Sequence, residues 1–197
     1  RTLTPITANN SASLFALDGD LRLVEFHSKA NALTDESMEI VAAAAADHGK
    51  GIIIHNDAQH FSAGVDLNAF RAYIEAEDWD GINGFLDRFQ KAVCALKYTP
   101  VPVVGAPSGL AAGGGYEVLA HCDRLVVHTN SVMGLVEAGV GVVPGGGGIK
   151  DTFFRWHAAK DGWDEAAWQT WMNIGYGATG SSPVSYTHLT LPTIVGV

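Results

Sequence analysis

Two glycine-bearing segments, FSAGVDL at residues 61–67 and AAGGGYE at residues 111–117, decide the fold that we expect for this chain of 197 residues. Each follows an apolar run typical of a buried strand, GIIIH at 51–55 and PVPVV at 100–104. Small residues at such strand ends leave backbone N–H groups accessible. Because two N–H groups aimed at one point form an oxyanion hole, the pattern predicts such a site between the segments.

The second segment is expected to begin a helix that runs from about Gly114 to His121. The Gly114 N–H would lie in the first turn, where it has no intrahelical acceptor and the helix dipole favours negative charge. In the first segment the corresponding donor is the N–H of Val65. The alternative for each segment by itself is an ordinary turn, with Asp66 as the N-cap of the next helix.

Two carboxylates accompany these segments. Glu117 follows Gly114 by three residues, which is nearly one helical turn, so the two can share a face. Glu137 also lies among apolar neighbours, and apolar surroundings raise the pKa of a carboxyl group. When two carboxyl groups lie close together, one can donate a proton while the other accepts. The alternative is that both are ordinary surface glutamates.

The rest of the chain reads as strand–strand–helix units of an α/β protein. Alternating apolar residues around DGD at 18–20 predict a hairpin, and Thr34 is the expected N-cap of the helix that follows. Apolar residues at intervals of three and four predict a helix over 82–96. Further strands are predicted at 124–128 and 132–134, and further helices at 149–156 and 164–172.

Composition and failed motifs exclude several functions. A net charge of −9 disfavours nucleic acid as a partner, and no apolar run reaches the roughly 18 residues of a membrane span. Cys94 and Cys122 match no metal spacing and read as buried thiols of a cytoplasmic protein. The segment GVGVVP at 139–144 misses the dinucleotide pattern because Pro144 replaces its third glycine. His121, beside Cys122 and Asp123, is interpreted as helix-end packing rather than as part of a metal site.

The sequence also predicts a boundary near its end. We assign residues 1–180 to one core domain and residues 181–197, SSPVSYTHLTLPTIVGV, to an atypical tail that is unstructured or unrelated sequence. The alternative is an ordinary terminal β-segment.

In combination, these motifs resemble the crotonase superfamily, the enoyl-CoA hydratase/isomerase family. The resemblance rests on residues 61–67, on 111–117, and on the stretch from Gly134 to Gly148, and it covers about residues 11–156. It implies the crotonase (ClpP-like) spiral of ββα units, with the C-terminal helical region truncated. Within the superfamily, residues 27–33 and 133–141 look closest to the hydratase module of fused 3-hydroxyacyl-CoA dehydrogenases, so the chain is expected to be a fragment of such an enzyme.

The resemblance also implies roles for particular residues. Val65 and Gly114 would supply the two oxyanion N–H groups, and Glu117 and Glu137 would be the catalytic acid and base. The expected contacts with coenzyme A are Lys29, Ala30, Ala63, Asp66 and Leu67. No metal or cofactor is expected, since the coenzyme A thioester is the substrate. NAD would belong only to a dehydrogenase domain elsewhere in the parent protein, and family members are usually trimers or pairs of trimers.

The expected function is therefore enoyl-CoA hydratase, which adds water to a trans-2-enoyl-CoA to give a 3-hydroxyacyl-CoA in fatty-acid β-oxidation. The first alternative is an enoyl-CoA isomerase that uses one glutamate alone. The second is a non-catalytic module that binds acyl-CoA or supports oligomerisation within a larger enzyme.

Overall fold

A computed structural model describes residues 3–160, 162–182 and 184–186. Its strands are β1 Pro5–Ala8, β2 Ala12–Leu17, β3 Leu21–Phe26, β4 Gly51–Ile54, β5 Val103–Gly105, β6 Leu110–Ala112, β7 Arg124–Leu125, β8 Val132–Gly134 and β9 Thr179–Gly180. Its α-helices are α1 Asp35–Ala46, α2 Leu67–Glu75, α3 Trp79–Lys97, α4 Gly114–Ala120, α5 Gly148–Lys160 and α6 Trp163–Gly175. Two 3-10 turns cover Lys29–Asn31 and Glu137–Val140.

The strands form two sheets. The larger sheet has the order β1-β2-β3-β4-β5-β7, antiparallel over its first three strands and parallel from β3 onwards. The smaller sheet has the order β6-β8-β9. Strands β5 and β6 follow each other in the chain but belong to different sheets, so the loop between them carries the chain from one sheet to the other. This change of sheet brings the second glycine segment beside the first.

The local patterns that predicted the first part of the fold are confirmed. The hairpin β2–β3 turns at residues 18–20, where Gly19 has φ of 81°. Thr34 caps α1, since its side chain accepts a hydrogen bond from the Ser37 N–H while the Ser37 hydroxyl accepts one from the Thr34 N–H. This reciprocal capping box is worth about 1 kcal/mol of helix stability.

The core lies where α1 and α3 pack against each other and the larger sheet presents its apolar face. Phe85, Phe89, Val93 and Leu96 are buried on α3, in the spacing that predicted this helix. The strand β4 is short and apolar, and its Ile52 and Ile54 are almost fully buried. Short apolar strands of this kind are typical of the parallel part of a sheet.

Three elements differ from the predictions. The strand predicted over 100–104 is shorter at its start and covers Val103–Gly105. Prolines at 100 and 102 have no N–H group to donate to a neighbouring strand. The Pro102 carbonyl still accepts a hydrogen bond from the Ile52 N–H of β4. The strand predicted over 124–128 is reduced to Arg124–Leu125. Helix α2 was not predicted, and none of its side chains is buried.

The described part of the tail contacts the core. Tyr186 is 1% exposed, and its ring lies edge-on to that of Tyr116 with 5.3 Å between the centroids. Residues 183 and 187–197 lie outside the described residues, so the origin of the tail stays a prediction. Within the described ranges, no helix is long and apolar enough to cross a membrane.

Candidate active site

The two glycine segments lie side by side. Ser62 pairs with the second segment in a parallel bridge: its N–H donates to the Leu110 carbonyl at 2.9 Å, and its carbonyl accepts from the Ala112 N–H at 3.1 Å. This pairing sets the register, so that the residues which follow Ser62 and Ala112 come together. A Cβ atom added to Gly114 would lie only 3.4 Å from the Val65 nitrogen. The structure therefore brings Val65 and Gly114 to one place.

Both backbone N–H groups are available at that place. Gly114 is the first residue of α4, and the N–H before it, on Gly113, is already bonded to the Gly134 carbonyl. On either side of the Val65 N–H, the Gly64 carbonyl and the Asp66 N–H both bond to Leu33, so the Val65 N–H faces away from that pairing. Within the described residues, neither N–H has a protein acceptor.

Glycine is required at two positions around these amides. Gly64 has φ of 97°, and a Cβ atom there would approach the Ala112 carbonyl oxygen to 3.1 Å. Gly113 has φ of 52°, and a Cβ atom there would lie 3.0 Å from Glu137 Oε1. A side chain at either position would strain the backbone and fill the space beside the two amides.

Glu117 is held inside the protein by α4. Its side chain is buried, at 2% exposure, and its Oε1 accepts a 2.8 Å hydrogen bond from the N–H of Gly148, where α5 begins. Burial raises the pKa of Glu117 to about 7, against the opposing effect of the Gly148 N–H and with a further rise from the charge of Glu137. A carboxyl group with such a pKa can hold or release a proton near neutral pH.

Glu137 begins the 3-10 turn that follows β8. It is half-buried, and burial raises the pKa of its carboxyl group. Its Oε1 faces Gly113, the residue before Gly114, and its Oε2 is buried without a hydrogen-bond partner among the described residues. Both carboxyl groups thus border the start of α4: Glu117 one turn after Gly114, and Glu137 against Gly113.

The residues expected to contact coenzyme A lie next to the first segment. Lys29 and Ala30 are exposed on the first 3-10 turn, and the Ala63 N–H donates to the Ala30 carbonyl at 3.2 Å. Asp66 caps α2 by accepting from the Asn68 N–H, and Leu67, the first residue of that helix, is 53% exposed. All five residues are therefore close to Val65 along the chain or through this pairing.

Sequence reasoning missed the groups that hold Glu117. The Gly148 N–H comes 31 residues later in the chain, and the Gly146 N–H also opposes the rise in the pKa of Glu117. The signal was present as the glycine run 145–148 directly before a helix, a pattern that lets backbone approach a buried group. Among the described residues, no group of three or more His, Cys, Asp or Glu side chains could hold a metal ion.

Solved structures with the same fold support this arrangement of elements. The chain superimposes on Pseudomonas aeruginosa DspI with a TM-score of 0.80 at 21% identity, covering 98% of this chain and 70% of that one. An enoyl-CoA hydratase from Polaromonas sp. JS666 gives a TM-score of 0.79 at 20% identity, with coverages of 94% and 70%. At these identities the likeness shows the fold alone, and that fold is the crotonase fold expected from the sequence.

Relatives by sequence are longer proteins. The chain is 34% identical over 153 residues to the probable 3-hydroxyacyl-CoA dehydrogenase of Bacillus subtilis strain 168, an alignment covering 76% of this chain and 19% of that protein. It is 30% identical over 158 residues to the putative fatty acid oxidation complex trifunctional enzyme of Rickettsia prowazekii, which covers 79% of this chain and 22% of that protein. The chain thus spans about a fifth of the length of these relatives.

The profile of one protein family matches residues 21–156, a stretch that contains both glycine segments and both glutamates. Since this match covers more than half of the sequence, the chain belongs to the enoyl-CoA hydratase/isomerase family.

Proposed function

We propose that this chain hydrates trans-2-enoyl-CoA thioesters to 3-hydroxyacyl-CoA. The observation that carries the proposal is the convergence of two free backbone N–H groups, on Val65 and Gly114, with two carboxyl groups of raised pKa. The family includes hydratases and isomerases, and the two carboxyl groups together favour hydration, in which one proton is taken from water and one is given to carbon.

The Val65 and Gly114 N–H groups would donate to the thioester carbonyl oxygen. When the oxygen of water bonds to C3, the electrons of the C2=C3 double bond move towards that carbonyl oxygen and form an enolate. Each N–H group that stabilises such an oxyanion is worth about 10²–10³ in rate. Because both donors belong to backbone fixed by pairing and by α4, they need no rearrangement as the charge develops.

Glu117 and Glu137 would share the proton transfers. One carboxylate takes a proton as water adds to C3, and the other carboxyl group gives a proton to C2, so that water is added without a cofactor. Acid–base help of this kind is worth roughly 10²–10⁴ in rate. Their raised pKa values suit the purpose, because a carboxyl group of ordinary pKa would hold almost no proton at neutral pH.

The exposed surface formed by Lys29, Ala30, Ala63, Asp66 and Leu67 would receive the coenzyme A portion of the substrate. Because this surface lies beside Val65, the thioester end of a bound coenzyme A portion would lie next to the two N–H groups. The product, a 3-hydroxyacyl-CoA, is what a 3-hydroxyacyl-CoA dehydrogenase oxidises. We therefore also propose that the chain is the hydratase part of a longer protein like its relatives, and that it assembles as a trimer or a pair of trimers.

The test is hydration of crotonyl-CoA by the purified chain, followed as loss of the enone absorbance. Hydration by the unaltered chain, and a loss of at least about 10²-fold in kcat in Glu117→Gln and in Glu137→Gln, would support the proposal. Glu39→Gln is the matched control, since Glu39 is exposed on α1 and should leave kcat unchanged. Absence of turnover by the unaltered chain, or full activity in a variant that carries both Glu117→Gln and Glu137→Gln, would overturn the proposal.

A second candidate is an isomerase that moves the double bond of an enoyl-CoA with one carboxyl group. The unequal surroundings of the two glutamates favour this candidate. Oε1 of Glu117 accepts a backbone hydrogen bond, while Oε2 of Glu137 has no partner in the described part of the chain. A 3-enoyl-CoA substrate separates the two reactions. Isomerisation should tolerate glutamine at one of the two positions, and tight binding of coenzyme A esters without either reaction would indicate a binding module.

A further inference from the structure

Two buried side chains, His121 at the end of α4 and Asp151 on α5, join these two helices, and we call them together the α4–α5 clamp. His121 is 2% exposed at the end of α4, and Asp151 is 4% exposed in the first turn of α5. His121 Nε2 lies 2.9 Å from Asp151 Oδ2, although this contact does not have the geometry of a hydrogen bond. Lys97 of α3 approaches the other oxygen of Asp151 at 2.7 Å.

The clamp contacts the backbone of the proposed catalytic glutamate. His121 Nδ1 lies 2.7 Å from the Glu117 carbonyl oxygen, and because a carbonyl can only accept, the ring nitrogen donates. A second side chain of α5, Arg155, donates to the Ala120 carbonyl at 2.5 Å. Side chains therefore bind two backbone carbonyls of α4, and one of these side chains, His121, also contacts Asp151.

The other end of the clamp holds the turn that supplies the hydrogen bond to the Glu117 carboxylate. The Asp151 N–H donates to the Gly147 carbonyl at 3.0 Å, so fixing Asp151 fixes the first turn of α5. The next residue, Gly148, gives its N–H to Glu117 Oε1. A Cβ atom on Gly147 would lie 3.0 Å from the His121 ring, so the turn rests directly on the clamp. His121 therefore binds the backbone of Glu117, and Asp151 fixes the turn whose N–H binds the Glu117 carboxylate.

The surroundings of Asp151 keep its carboxyl group ionised. Burial by itself would raise the pKa of Asp151, but His121 and Lys97 hold it well below its ordinary value, so Asp151 remains a carboxylate. Lys97 from α3 and Lys150 from α5 face Asp151, and Arg155 binds the end of α4. The charges of Asp151 and Glu137 both act on Glu117. A buried charge left without its partner is costly, which keeps the pair together.

We infer that His121 and Asp151 are positioning residues for Glu117, which hold the first turn of α5 against α4 so that the Gly148 N–H stays on the Glu117 carboxylate. The inference rests on the proposed function only where it concerns turnover. The hydrogen bond itself is a property of the fold and can be measured without substrate.

The direct test is amide hydrogen exchange of Gly148, read by NMR in the unaltered chain, in Asp151→Asn and in His121→Leu. We expect exchange of Gly148 to accelerate at least about tenfold relative to an amide of β4, which reports the stability of the core. Lys150→Ala is the matched control, because Lys150 is exposed and lies 3.5 Å from Asp151. Unchanged relative exchange of Gly148 in the clamp variants would overturn the inference.

Turnover gives the second readout. With crotonyl-CoA, kcat should fall roughly 10- to 100-fold in the clamp variants while KM stays unchanged, since displacement of a catalytic group by about 1 Å has effects of this size. The limb of the pH profile of kcat that reports Glu117 should move to higher pH. Loss of the Gly148 N–H, which lowers the pKa of Glu117, outweighs loss of the Asp151 charge, which raises it less. A purely structural role would lower stability and leave the pH limb in place, and that result would overturn the inference.

If the single variants fail to fold, the double variant His121→Leu/Asp151→Leu decides, because replacing a buried pair by apolar residues is often neutral for stability. Faster Gly148 exchange in the folded double variant supports the inference, and exchange like that of the unaltered chain overturns it. If the unaltered chain shows no hydration at all, the proposed function fails while the exchange experiment still decides the role of the clamp.

Discussion

Glu117 and Glu137 are proposed to act together, yet they lie in very different surroundings. Every residue of α4, which carries Glu117, is buried, and α5 supplies a hydrogen bond to its carboxylate. Glu137 begins an exposed stretch in which Val140, Val142 and Val143 are 59%, 42% and 69% exposed. One carboxyl group therefore belongs to the core and the other to the surface of the site.

This difference indicates how the two groups can be changed. Substitutions around Glu117 disturb packing, hydrogen bonding and proton affinity together, because the same buried elements determine all three. Substitutions around Glu137 should alter chemistry or substrate contact with little effect on folding, because exposed positions contribute little to stability.

Packing around α4 should give the largest effect. Leu119 is 1% exposed and lies against Gly105 at the end of β5. Leu119→Ala should lower the free energy of unfolding by about 2–5 kcal/mol, since it leaves a cavity in the core. Urea unfolding followed by circular dichroism measures this change, and a loss below about 1 kcal/mol would contradict the picture of a rigid α4.

The proposed oxyanion donors, the N–H groups of Val65 and Gly114, should give the next largest effect. In Gly114→Ala the new Cβ would lie 2.8 Å from Val65 Cγ2, so the two N–H groups would be pushed apart. We expect kcat for crotonyl-CoA to fall about 10²–10³-fold. Gly139→Ala is the control, since a Cβ atom there meets nothing within 4 Å. Equal kcat in Gly114→Ala and Gly139→Ala would show that the Gly114 N–H takes no part in the reaction.

Proton affinity should give a smaller and pH-dependent effect. Between about pH 4.5 and pH 7 the folded chain holds the proton on Glu117 while the unfolded chain has released it, so the free energy of unfolding falls as pH rises. Glu117→Gln removes this loss and should stabilise the fold at pH 8, relative to pH 4.5, by about 1–3 kcal/mol.

The measurement is urea unfolding of Glu117→Gln and of the unaltered chain at both pH values. Glu137→Gln should show the same direction with a smaller difference, because Glu137 is only half-buried. A larger stabilisation by Glu137→Gln than by Glu117→Gln would reverse the contrast between the two surroundings.

The exposed stretch should give the smallest effect. Val143→Ala should change the free energy of unfolding by no more than about 0.5 kcal/mol, because most of that side chain is already in water. The same urea experiment measures it. A destabilisation comparable to that of Leu119→Ala would mean that residues 140–143 belong to the core.

The elements that could be predicted from the sequence are those identified by patterns among neighbouring residues. The helix Trp79–Lys97 followed from apolar residues at intervals of three and four, and the cap at Thr34 from its position before such a pattern. The register of Gly114 and Glu117 followed from the pitch of one helix. Helix α2 was missed although it carries an apolar stripe, in which Phe70 packs partly buried against the core while Leu67 and Ile74 stay exposed.

The contacts that shape the site could not be predicted in this way. Lys97 and Asp151 are in contact although 54 residues separate them in the chain, and Glu117 and Gly148 are in contact across 31 residues. No pattern within a single segment carries such a pairing, because it depends on how α3, α4 and α5 pack. The interpretation of His121 as helix-end packing correctly placed it at the end of α4 but missed its contact with Asp151.

The shortness of α4 has a consequence for selectivity. The helix has seven residues and carries a proposed oxyanion donor at its first position and a proposed acid or base at its fourth. At a rise of 1.5 Å per residue, the two backbone positions are about 4.5 Å apart along the axis. We therefore expect the fixed distance along α4 to restrict the reaction to the carbon atoms nearest the thioester carbonyl, whatever the length of the acyl chain beyond them.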